Sequence, residues 1–162
     1  MGTISPETVA ALDASGFAWE PADVSASDTS YTRLLEALWG AGEPFALVEH
    51  DIVPHPGALA ELLGCPRPWC AFSYQLGSIT HAGLGCTRFS AGLLAAVPDA
   101  VERTWAESTG VHPPGFWCAL DDRLSRVLRG AGFAQHVHEP QVTHLNPVPS
   151  HGCTTLGGVP VG

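Results

Sequence analysis

Phe45-Ala46-Leu47-Val48-Glu49-His50-Asp51-Ile52-Val53-Pro54 is the stretch on which the fold turns. Its apolar start predicts a buried strand. The run then breaks into acid, imidazole and acid, and Pro54 and Pro56 keep the strand from simply continuing. In an open α/β sheet, ligands collect at the carboxyl ends of strands, where these acids sit. In an extended segment Glu49 and Asp51 point to the same face. Paired carboxylates repel unless a cation or a proton lies between them, and a hard divalent ion with a diphosphate on its far side satisfies both. A solvated acidic turn after a core strand is the plainer alternative.

Working upstream, Asp28-Thr29-Ser30 offers an N-cap for a helix over 31–39, with Leu34, Leu35, Leu38 and Trp39 at helical spacing. Gly40-Ala41-Gly42 closes it. Residues 1–30 are poorly defined: a helical turn or two over Thr8–Ala14, a short strand at Phe17–Trp19, then a polar connector. Downstream, the pattern predicts a short helix over 57–63 and an aromatic-rich strand over 69–74. A glycine-bearing loop, 81–90, then enters another strand, and Ser90 caps a helix from Ala91. A further helical turn is expected over 101–107. Asp121-Asp122 opens a helix whose last turn carries Arg129, which suits the helix dipole, and Gly130-Ala131-Gly132 ends it. Residues 133–144 predict one strand or two, broken at Pro140, and 147–162 an irregular tail. The order is α/β around a mixed sheet.

The 162 residues predict a single domain, 1–162. No apolar run approaches the roughly 18 residues of a membrane span. The N-terminus lacks the basic start and apolar core of a signal peptide, which predicts a cytoplasmic protein. Net charge is −9 and all seven basic residues are Arg. That field disfavours a tight grip on nucleic-acid phosphates, although Arg67, Arg88, Arg123, Arg126 and Arg129 could form a local patch. Five cysteines without a CxxC predict reduced thiols. His136 and His138 suggest zinc by spacing, yet no Cys pair stands near them in sequence.

Separated signals then fall in one order that resembles the catalytic half of GT-A glycosyltransferases, particularly the inverting family 2 type. Glu49-His50-Asp51 is similar to the D-x-D motif, with Glu in first position. The 81–90 segment HAGLGCTRFS is similar to the glycine-containing loop, and Leu120-Asp121-Asp122 to the acidic x-E-D motif, with Gly132 as the glycine after its helix. His144 matches the C-terminal histidine that completes the metal site. FALVEHDIVPHP, PWCAFSY and GLGCTRFS also resemble small glycosyltransferase-like proteins of bacteriophages and actinobacteria. The likeness covers about residues 30–146.

The resemblance implies a GT-A-like mixed sheet flanked by helices. The family sets a nucleotide-binding βαβ unit before its D-x-D motif. Only 48 residues precede Glu49, so a shortened nucleotide half in the Phe17–Trp39 region is expected. The implied reaction moves a sugar from a nucleoside-diphosphate sugar, UDP-sugar favoured, to a hydroxyl acceptor, with inversion. A modified phage DNA base, a glycan and a protein are all open as acceptors. Asp51, His144 and Glu49 would hold a divalent metal, with Mn²⁺ favoured over Mg²⁺ because imidazole is the softer donor. Asp122 would be the general base, with Asp121 raising its proton affinity. His50, Gly83, Gly85, Arg88 and Tyr31 would face the donor, and Trp69 and Trp117 the acceptor. Two rivals are a catalytically inactive GT-A-like nucleotide- or sugar-binding module, and a metal-dependent hydrolase built on His136-Val137-His138.

Overall fold

A computed structural model of the chain describes residues 3–106, 114–117 and 119–145, together with the backbone of 155–156 and 159–160. Cys118, Cys153 and most of the expected irregular tail lie outside the described residues. Within the tail, Thr155–Leu156 and Val159–Pro160 pair as two short antiparallel strands.

The central sheet is mixed and four-stranded. Its strands are β1 (Phe45–Val48), β3 (Trp69–Phe72), β6 (Cys86–Phe89) and β7 (His136–His138), in the order β1-β6-β3-β7. β6 runs antiparallel to both β1 and β3, whereas β3 and β7 are parallel. Two small ladders stand beside it. One is β2 (Ile52–Pro54) with β8 (Val142–His144), and the other is the hairpin of β4 (Tyr74–Leu76) and β5 (Ile79–His81).

The period-2 alternation of strands puts side chains on opposite faces and makes two cores. On one face, Trp69 and Phe89 pack with Leu35 and Trp39 of α2 (Ser30–Ala41) and Leu93 of α4 (Ala91–Ala96). Val101 of α5 (Ala100–Ala106) and Leu124 and Leu128 of α6 (Leu120–Gly130) complete that core. On the other, Cys70, Phe72 and Cys86 meet Leu12 of α1 (Pro6–Ala14) and Leu59 and Leu62 of α3 (Ala58–Gly64). Helices therefore cover both faces. The chain is α/β with a mixed sheet, as expected.

Local chemistry sets the helix ends. The Ser90 side chain accepts from the Leu93 amide and caps α4. Gly132 at φ 91° ends α6: its amide donates to the Arg129 carbonyl and that of Phe133 to the Leu128 carbonyl, a Schellman closure.

Several expectations change. β1 is an edge strand of its sheet and half-buried along its length, because no strand in residues 17–44 pairs with it. Phe17 and Trp19 form no strand and are exposed, the Trp19 indole donating to Asp13. The 69–74 strand divides at Ser73, so Tyr74 starts a separate hairpin.

Candidate functional site

Glu49 leaves the end of β1 with its amide on the Gly85 carbonyl, 2.8 Å, which carries the β1–β6 ladder one step further. The chain then turns, the Ile52 amide closing on the Glu49 carbonyl at 3.1 Å. Glu49 and Asp51 are thus brought together by a turn, not by the shared face of an extended strand. The turn feeds β2, whose Ile52 lies opposite His144 on β8. That register sets His144 Nε2 3.4 Å from Asp51 Oδ2, with both side chains about nine-tenths buried. His144 Nδ1 is buried without a hydrogen-bond partner.

The β4–β5 hairpin adds two rings. Tyr74 lies opposite His81, its ring edge-on to that imidazole at 5.5 Å and stacked on His144 at 5.3 Å. His81 Nε2 meets Asp121 Oδ2 at 2.6 Å, and Asp121 enters from the first turn of α6. From α2, the Tyr31 hydroxyl donates to Glu49 Oε1 at 3.1 Å. Ala119, just before α6, sits at φ 59°, a left-handed conformation that costs a non-glycine residue on the order of 1 kcal/mol and marks strain beside the site.

Charge couples these groups. Desolvation pushes the Glu49 carboxyl up to about 7, and the charges of Asp121 and Asp51 push the same way. The Tyr31 hydrogen bond and His144 oppose them. Burial raises the Tyr31 and Tyr74 hydroxyls further, and Glu49 and Asp121 add to both. At the His81–Asp121 pair, desolvation opposes the charged form of each partner. Their hydrogen bond and mutual attraction win, so His81 is raised and Asp121 lowered.

The loop glycines have a job other than the expected approach to a donor. A Cβ on Gly83 would run into the Asp121 carboxylate and the His81 ring, and one on Gly85 would come within 2.9 Å of the Tyr74 ring and hydroxyl. Both are buried, and their missing side chains make room for the protein's own site.

The fold therefore brings together Glu49, Asp51, His144, Tyr31, Asp121, Gly83 and Gly85. It adds His81 and Tyr74, to which the sequence assigned no role. Other candidates lie at its edge or are engaged away from it. Asp122 is engaged by Arg126 one turn along α6, 3.4 Å away. Arg88 donates to the Cys65 and Arg67 carbonyls at 3.0 and 3.3 Å, clamping the end of α3, so it is not offered to a phosphate. Trp69 is a core residue, 2% exposed, stacked near Phe89 with its indole on Thr87, and cannot form an acceptor platform. Trp117 is half-buried and stacks on Phe116. His50 stays partly exposed, Nδ1 3.9 Å from Asp51. Arg123 is fully buried and donates to the Phe116 carbonyl, which removes it and Arg88 from any surface basic patch.

The periodicity that located the strands carries no information about His81, whose partner is 40 residues away. A hairpin around Gly77-Ser78, with Gly77 at φ 63°, was the one local hint that His81 returns beside Tyr74.

As a donor set, Asp51 in the turn before β2 and His144 on β8 offer one carboxylate and one imidazole, with Glu49 nearby. Comparison with protein-family models, curated proteins and solved structures returns no match. No helix among the described residues is long and apolar enough to cross a membrane.

Proposed function

We propose that this chain is a metal-dependent inverting glycosyltransferase acting from a nucleoside-diphosphate sugar on a hydroxyl acceptor. The observation that carries the proposal is the convergence of the β1 end, the glycine loop, the start of α6 and the β8 histidine on one acidic cluster. The Asp51–His144 pair, 3.4 Å apart, supports a divalent ion there. Asp51 and His144 would hold it, with Glu49 beside them, leaving positions for diphosphate oxygens. Such an ion, when bound, neutralises the charge that develops on a departing diphosphate.

The protein's own groups divide the remaining work. Asp121 takes the acceptor hydroxyl's proton in place of Asp122, whose carboxylate Arg126 engages. His81 orients Asp121 and holds it ionised at neutral pH, ready to accept, at the cost of a weaker base. Tyr31 fixes the Glu49 carboxylate.

The test is isothermal titration of UDP, GDP and CDP with and without Mn²⁺, on the wild type and Asp51→Ala. Metal-dependent nucleotide binding that disappears in Asp51→Ala supports the proposal. Absence of binding by a folded chain overturns it. One observation favours the inactive binding module as a second reading: residues 17–44 contribute no strand to the sheet, so a nucleotide-binding βαβ half has no counterpart there. Nucleotide binding without sugar transfer or donor hydrolysis is its expected outcome.

A further inference from the structure

A second set of ligating groups, sharing no residue with the acidic cluster, lies around the core that holds Cys65, Cys70 and Phe72. Cys65 follows α3, Cys70 lies on β3 and His138 on β7, parallel to β3. One ligand atom from each lies within 4.8 Å of the others. Among the described residues it is the one such trio of His, Cys, Asp or Glu donors.

We propose that Cys65, Cys70 and His138 bind a zinc ion. A tetrahedral zinc with Zn–S about 2.3 Å and Zn–N about 2.0–2.1 Å needs donor atoms roughly 3.5–4 Å apart, so closure on the order of 1 Å completes the site. Two thiolates and an imidazole select a borderline-soft cation over Mg²⁺ or Mn²⁺.

The histidine supplies the independent sign of a ligand. The His138 side chain is only 8% exposed. Its Nδ1 is fixed on Glu61 Oε1 at 2.7 Å, and Glu61 in turn accepts from Gln141 Nε2 at 2.6 Å. Its Nε2 is buried with no hydrogen-bond partner. An unmet buried polar nitrogen is costly, whereas a carboxylate on the far nitrogen is the usual support behind a metal-bound imidazole. Phe72, at 5.0 Å, helps hold the ring.

Charge balance also suits the ion. Binding of Zn²⁺ displaces both thiol protons and leaves a neutral Zn(S⁻)₂ unit, the two protons going to solvent. Cys65 and His138 also line a cleft with Glu61, Arg67 and His136, from which solvent or a further ligand would reach the ion.

The experiment titrates Co²⁺ and Zn²⁺ into the metal-free, reduced full-length chain under anaerobic conditions. The expected result is one equivalent bound with thiolate-to-cobalt charge-transfer absorption, two protons released, and displacement by Zn²⁺. Carboxylate and imidazole ligands alone produce no such absorption, so the signal is separate from the acidic cluster. Cys65→Ser should abolish the absorption. Glu61→Gln, which leaves all three ligands in place, should weaken zinc by about 10–100-fold. Should the cysteine variant not fold, the zinc-dependent rise in Tm of the wild type against Glu61→Gln decides. A folded, fully reduced chain without the absorption overturns the proposal, as does absorption unchanged in Cys65→Ser or a native Cys65–Cys70 disulfide.

Discussion

Glu49 offers the sharpest test of the acidic cluster, because its carboxyl is poised at about 7. The groups facing it are Tyr31, Asp121, Asp51, His144 and Tyr74. A divalent cation at Asp51 and His144 favours ionised Glu49, so cation binding and proton release are linked. With a pKa of about 7, Glu49 is roughly 9% ionised at pH 6 and roughly 91% at pH 8. The apparent Mn²⁺ affinity contributed by this group should therefore rise about tenfold across that range, or about 1.4 kcal/mol. A carboxyl at its ordinary value would already be about 97% ionised at pH 6 and would change almost nothing. The assay is Mn²⁺ calorimetry at both pH values, in buffers of different ionisation enthalpy, which counts protons. Glu49 should release about 0.9 proton at pH 6 and about 0.1 at pH 8. Glu49→Gln supplies the background, since any slope left in it belongs to other groups. Equal slopes in the wild type and Glu49→Gln would refute the coupling between this carboxylate and the metal position.

Other outcomes follow from the same geometry. Gly83→Ala should separate His81 from Asp121, cost about 1–3 kcal/mol as overpacking, and return the His81 titration seen by NMR toward its ordinary value. The raised His81 contributes stability that is complete below its unfolded pKa of about 6.5 and is lost as pH rises through its folded value. The lowered Asp121 contributes above about 3.8 and is lost as pH falls through its folded value, so denaturant midpoints of His81→Gln should show a flatter pH profile. Asp121→Asn should remove transfer activity with nucleotide affinity retained, whereas Asp122→Asn should leave turnover within a few-fold; the reverse order in kcat would return the base to Asp122. Arg88→Ala should lower stability by about 1.5–3 kcal/mol through its lost carbonyl contacts, read by urea unfolding, and leave nucleotide titration unchanged.

The contrast between α6 and the rings beside it separates local from tertiary information. The extent of α6, its acidic first turn and its glycine end are local properties, written in spacing, dipole compensation and the positive φ that Gly132 tolerates. Phe45–Val48, the Ser90 cap and the mixed α/β order were legible in the same way. Which of Asp121 and Asp122 faces the cluster was not, because neighbouring helix positions differ by about 100° and only the packing of α6 sets the rotation. Leu120, Leu124, Val127 and Leu128 bury one side of that helix and turn Asp121 toward His81.

Pairing across strands decided the rest. The β2–β8 register brought Asp51 to His144, and the β4–β5 register brought Tyr74 to His81. The parallel β3–β7 pairing carried the His-x-His pair to cysteines far away in sequence. Sequence alone determined where strands run, where helices begin and end, and which residue types were available for chemistry. Only the tertiary structure decided which of them meet, because a one-residue shift in a strand's register moves every side chain to the opposite face.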